Sequence, residues 1–212
     1  MREDGVRGET SWRDVTVAWS SPAELRGFTY DDLAAMGQSQ LDRFRRLSGS
    51  RAEDFVAGRA LIRLLVRRIS GSDDVVVSSR CDNCGEDHGR PRCEGVSLSV
   101  SHATGLVVVA ATSTSVQLGV DVEATTAAGR TDELRSMFPV GSAPDLAAWT
   151  RMEAAVKADG RGFEIDPSDV LLQPRRGADP CTWTATLPGR RTAVEVTTLV
   201  GPPGYVLSVA RA

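Results

Sequence analysis

The hydrophobic period of this chain changes in an order that leaves few architectures open. Asp14 to Trp19 alternates like a strand, and Pro22 followed by Tyr30 to Met36 marks short helical pieces. From Gln40 to Ile69 the spacing turns helical. Leu41, Phe44 and Leu47, then Phe55, Leu61, Ile62, Leu65 and Ile69, fall on one face. Ser48-Gly49-Ser50 divides that stretch into two helices, with Ser50 the expected N-cap of the second. Val75 to Ser78 reads as a short strand and Cys81 to Arg92 as a turn-rich loop. Val96–Ser101, Leu106–Thr112 and Val116–Glu123 follow as strands, Thr131–Phe138 as a short helix, and Asp145–Gly160 as a stronger helix stopped by glycine. Four β-like runs close the chain: Val170–Leu172, Thr182–Thr186, Ala193–Leu199 and Tyr205–Val209. This is an α+β pattern written twice, with a seam near Ser113 to Leu118 and no obvious sequence repeat between the halves.

A chain of 212 residues can bury one good core or two small ones. Its 41% apolar and 25% charged residues are those of an ordinary globular protein, and a net charge of -3 argues against nucleic-acid binding driven by bulk charge. Met1 to Arg13 is polar, and no run approaches the roughly 20 apolar residues that cross a bilayer. The expectation is a cytoplasmic protein that works on no membrane and no nucleic acid. In that compartment Cys81, Cys84, Cys93 and Cys181 are thiols or metal ligands before they are disulfides. Of the 25 basic residues only Lys157 is a lysine. In so arginine-rich a background it hints at a position where an amine is wanted.

Two segments carry the chemistry. In Leu118-Gly119-Val120-Asp121-Val122-Glu123, a strand would point Asp121 and Glu123 to one face, where two carboxylates repel unless a cation lies between them. In Trp149 to Gly162, a helix would put Glu153 and Lys157 four residues apart on one face. Each has an ordinary alternative: a strand end running into solvent, and a surface ion pair stabilising by about 0.3–0.5 kcal/mol. Ser101-His102 at a strand end and Gly89-Arg90-Pro91 in a turn are, taken alone, structural.

Together these pieces resemble the Sfp-type 4′-phosphopantetheinyl transferases. The family pattern G-[VI]-D-[VI]-E is met by Gly119 to Glu123, and W-[ST]-x-K-E-[SA]-x-x-K-x-x-G-x-G by Trp149 to Gly162. Gly89-Arg90-Pro91 and Ser101-His102 echo the family's G-K-P and [FN]-x-S-H elements, and Ala57 to Arg63 its early helix. Three departures stand out: Met152 replaces the motif lysine, Ser99 an asparagine, and Glu53 and Asp54 lie where arginine is frequent.

The resemblance implies two pseudo-symmetric halves, residues 1–116 and 117–212, each a small antiparallel sheet packed with helices, in a monomer with its site in the cleft between them. The implied activity is transfer of 4′-phosphopantetheine from coenzyme A to a serine of an apo acyl, aryl or peptidyl carrier protein, releasing 3′,5′-ADP. Asp121, Glu123 and Glu153 would hold Mg²⁺, with Glu153 also the general base. Lys157 would neutralise or protonate the leaving group, and Ser101 and His102 would bind phosphate oxygens. Arg90, Arg43 and Arg51 would hold the 3′-phosphate. The carrier helix would meet the second half near Thr131–Phe138.

A reading of another class rests on Cys81-x-x-Cys84-x-x-x-His88-x-x-x-x-Cys93, which is close to a zinc knuckle and offers four ligands of the type zinc takes. Knuckles bind single-stranded nucleic acid, but this loop has no aromatic to stack a base, and Asp82, Glu86, Asp87 and Glu94 offset its arginines. Relatives in the resembled family often carry C-x-x-C-G-x-x-H-G-[KR]-P in the same place. A third possibility, a catalytically dead carrier binder, sits poorly with the intact Asp121, Glu123, Glu153 and Lys157.

Overall fold

The computed structural model describes residues 5–25, 27–82, 84–126, 133, 136–175 and 181–212. The chain divides into two compact units, Met1–Ser115 and Val116–Ala212. Both combine an antiparallel sheet with helices, so the class is α+β.

In the first unit β1 (Gly8–Trp12) and β2 (Val15–Ser20) form a hairpin that turns at Arg13, the non-glycine residue with positive φ, at 55°. A 3-10 turn at Pro22–Leu25 leads to α1 (Tyr30–Ala35), whose capping box joins Thr29 and Asp32, then to α2 (Gln38–Arg45) and α3 (Ser50–Ser70). β3 (Ser97–Ala103) and β4 (Leu106–Thr112) complete a sheet of order β1-β2-β4-β3. Central β4 is buried along its whole length, which explains its unbroken apolar run. α3 lies over this sheet and buries Ala57, Leu61, Ile62 and Leu65 against Leu98, Val107 and Val109.

In the second unit β5 (Leu118–Ala124) is followed by α4 (Leu146–Asp159) and then β6 (Leu171–Pro174), β7 (Thr182–Thr186), β8 (Val194–Leu199) and β9 (Tyr205–Arg211). The sheet order is β5-β9-β8-β7-β6, all pairs antiparallel. Asp145 caps α4 by accepting from Ala148 N–H at 2.7 Å, and Gly160 ends it with φ 91°. The helix lays Ala154, Ala155, Val156 and Ala158 on Ala185, Val194, Val196 and Ala210. Small side chains on both surfaces let helix and sheet approach closely.

Several sequence expectations change. Ser50 is the first residue of α3, and Gly49 takes the cap position with φ 58° and no side-chain hydrogen bond. Val75–Ser78 is not a strand. It meets the rest through Val77 N–H to Met36 O and a single bridge from Ser78 to Arg92, too short a pairing to extend into a ladder. Strand β5 is no such change: it lies beyond the expected seam and belongs to the sheet of the second unit. Of the expected helix Thr131–Phe138, residues 131, 132, 134 and 135 lie outside the described residues. Among the described residues no helix is long and apolar enough to cross a membrane.

Candidate functional site

Strand β5 and helix α4 carry the acidic residues and the amine, and one glycine sets how closely they meet. A Cβ on Gly119 would lie 1.8 Å from Ala154 O and 2.6 Å from Ala158 N, so main chain touches main chain there. At that separation Lys157 Nζ donates to Asp121 Oδ1 at 2.7 Å and to the Val120 carbonyl at 3.2 Å. Asp121 is only 6% exposed. Its charge is met by an ammonium whose side chain is 33% exposed.

Across the sheet, Asp121 is the register partner of Ser208. Ser208 Oγ lies 2.8 Å from Thr150 Oγ1 and 3.0 Å from Thr198 Oγ1, and Thr198 Oγ1 accepts from Arg151 Nε at 2.9 Å. Helix α4 therefore reaches the Asp121–Ser208 level through Thr150 and Lys157. Glu153 stands one turn from each, on the same helix face and half-buried. Glu123 shares its face of β5 with Asp121, and burial falls from Asp121 to Glu123 toward the strand end. The oxygens of Asp121, Glu123 and Glu153 do not all come within 4.8 Å of one another, a separation met among the described residues by Cys81, Cys84 and His88. The donor set is nonetheless three hard carboxylates, the kind Mg²⁺ takes. The ammonium on Asp121 marks where a cation is wanted.

The end of α4 is locked by a second carboxylate. Asp159, buried, accepts from Arg161 Nε at 2.6 Å and Nη2 at 3.1 Å, and from Arg190 Nη1 at 2.9 Å. Burial alone would raise its pKa, but the two guanidiniums hold it below the ordinary carboxylate value.

The first unit holds a cationic cluster that sequence reading only half found. Arg59 of α3, 5% exposed, stacks 4.3 Å from the centre of the Phe55 ring, and Arg43 of α2 stacks 5.4 Å from the same ring. Arg59 donates to Gln40 Oε1 at 2.6 Å and Ser79 Oγ at 3.1 Å, both neutral groups. Neither arginine makes an ion pair with a described carboxylate. Burial, helped by the like charge of Arg43, pushes the Arg59 pKa down to about 9. Burial likewise lowers that of Arg43, with Arg46 adding to it and Asp87 opposing. A guanidinium does not give up its proton at neutral pH, so the charge stays in place there despite its burial. Arg59 was legible in principle, since it lies four residues after Phe55 and three before Ile62, on the buried face of α3.

The other predicted phosphate contacts are dispersed. Arg90 donates through Nε and Nη2 to the Leu98 carbonyl at 3.1 and 2.9 Å. Burial, then Arg92, lowers its pKa. Arg51 is exposed in the first turn of α3. His102 is exposed on the α3 side of β3, where its charge opposes the burial-driven rise of the Asp54 pKa. Ser101, its neighbour, is buried and points to the opposite face. The two are therefore not brought together.

Neither a protein-family model nor a curated protein matches the chain. A cavity of about 670 Å³ opens beside Leu25, Phe28 and the α3 residues Ala60, Arg63, Leu64, Arg67 and Arg68, and none of the predicted residues lines it. Its arginines are already neutralised, Arg63 by Asp32, Arg67 by Asp73 and Arg68 by Glu9. The Arg43–Arg59 pair differs from these in having no described carboxylate as ion-pair partner.

Proposed function

We propose that the protein is an Sfp-type 4′-phosphopantetheinyl transferase, with the two-halved transferase fold, working as a cytoplasmic monomer on an apo carrier protein. The observation that supports this best is the Lys157–Asp121 contact at 2.7 Å, which joins the two motif segments at one strand–helix junction. A carrier serine Oγ would attack the β-phosphorus of coenzyme A while the bond from that phosphorus to the departing oxygen breaks. The serine proton passes to Glu153, and 3′,5′-ADP leaves with its new charge beside the Lys157 ammonium. Asp121, Glu123 and Glu153 would hold Mg²⁺, which when bound supplies charge stabilisation at the pyrophosphate. Lys157, held on Asp121 at 2.7 Å, would be the ammonium available to the leaving group were Asp121 engaged by the ion.

Arg59 and Arg43 are suited to the 3′-phosphate, a dianion that would satisfy the buried charge. Arg90, Arg51, Ser101 and His102 remain candidates for further phosphate contacts, one by one and not as a group. The test is incubation with coenzyme A, Mg²⁺ and a panel of apo carriers, read by intact mass. A gain of one phosphopantetheine on at least one carrier, abolished by EDTA, is expected. No gain on any carrier overturns the reading.

A further inference from the structure

The loop between Ser79 and Cys93 is built without a core of its own. Its cysteines and histidine are half-buried or exposed, and no disulfide joins them. Main-chain bonds fold it tightly all the same: Cys81 N–H to Glu86 O at 2.8 Å, Gly85 N–H to Cys81 O at 2.9 Å, and Gly89 N–H to Ser79 O at 2.6 Å. Two glycines permit this. Gly85 takes φ +77°, and a Cβ on Gly89 would lie 2.7 Å from Arg80 O and 2.9 Å from Cys81 Cα. The fold brings one ligating atom each from Cys81, Cys84 and His88 within 4.8 Å of one another, with Cys84 Sγ 2.9 Å from His88 Nε2.

We propose that Cys81, Cys84 and His88 form a zinc site with three protein ligands and a fourth position open to water or another exchangeable donor. The ligand types are those of zinc, and tetrahedral bonds of about 2.3 Å to sulfur and 2.0–2.1 Å to nitrogen require only a small parting of Cys84 and His88. Two thiolates and a neutral imidazole cancel the charge of the ion, which suits so exposed a position. Binding releases the two thiol protons to solvent. Beside the site, the Arg92 guanidinium pairs with Asp82.

Cys93, the fourth ligand suggested by spacing, is not part of the set. It packs against the apolar cluster of the first unit, and burial raises its thiol pKa. The site is thus three-coordinate in protein, unlike a closed knuckle. In a loop that lacks an apolar interior, the ion would supply the cross-link that packing does not.

The site is independent of the transferase reading and is tested without any assay of transfer. The reduced full-length chain, stripped with a chelator, is titrated with Zn²⁺ and with Co²⁺. One equivalent of either, with thiolate-to-cobalt charge-transfer absorption, is expected. Zinc should also protect Cys81 and Cys84, but not Cys93, from alkylation mapped by peptide mass, a readout that needs no variant. Cys84→Ser and His88→Ala should weaken binding by more than about 100-fold, beyond the loss of an outer-shell contact. Cys93→Ser should retain one equivalent. No metal uptake by the reduced chain, or protection extending to Cys93 with loss of metal in Cys93→Ser, overturns the proposal.

Discussion

Lys157 and Asp121 do not depend on each other equally. Lys157, one-third exposed, can turn to water if its partner is removed, whereas Asp121 stays buried. Asp121→Ala and Glu153→Ala are therefore expected to keep the wild-type circular dichroism spectrum and to lose transfer. Retained transfer by both at saturating Mg²⁺ would withdraw their roles. Lys157→Ala should lower stability by roughly 1–3 kcal/mol as well as slow turnover. Lys157→Arg should restore stability better than rate, and equal rates for the two would mean that charge alone suffices. Arg59 is the reverse case, a buried cation stacked on Phe55 beside a second one. Arg59→Met should leave the melting temperature unchanged or higher, while weakening binding of 3′,5′-ADP by about tenfold or more in calorimetry. Unaltered affinity would show that the charge serves something other than phosphate.

Among the elements, the contact of α4 with β5 is the most intolerant. Gly119→Ala forces a methyl into the Ala154 carbonyl and should cost on the order of 3 kcal/mol, or about 6–12 °C in melting temperature. Asp159 anchors the C-terminal end of the same helix. Its depressed pKa means that its contribution is complete above the unfolded value of about 3.9 and is lost as pH falls through the lower folded value. Urea melts should therefore give Asp159→Asn a deficit at pH 7 that narrows near pH 3. A deficit of equal size at both would assign the loss to packing.

Element types were legible where periodicity is strong, as in α3, α4 and the four C-terminal strands. Strand β1 was not, because Gly8-Glu9-Thr10-Ser11-Trp12 has no apolar alternation and owes its order to β2. Val75–Ser78 has a strand's composition but pairs only through the single Ser78–Arg92 bridge. At the site, spacing put Asp121 with Glu123 and Glu153 with Lys157. That Lys157 would reach Asp121 depends on the backbone contact at Gly119, a tertiary fact that no local pattern encodes. Cys93 shows the converse, since its spacing is that of a ligand while it is half-buried and packs against the core cluster.

At the scale of the molecule, each unit carries candidate charge of one sign: the Arg43–Arg59 pair, with no described carboxylate as ion-pair partner, in the first, and Asp121, Glu123 and Glu153, not gathered within 4.8 Å of one another, in the second. Coenzyme A with Mg²⁺ at 100 times its dissociation constant should add about 2.7 kcal/mol, raising the melting temperature by roughly 5–11 °C. Glu153→Ala should reduce the part of that shift that requires Mg²⁺, and Arg59→Met the part that does not. An identical shift in both variants would detach the ligand from these residues. The interior guanidinium of Arg59 carries a cellular corollary. If coenzyme A meets that charge, as proposed, the chain spends more time open when the nucleotide is scarce, and proteases sample the open form. Its lifetime in a growing cell should then track the supply of coenzyme A, falling in starved cells with no change in synthesis.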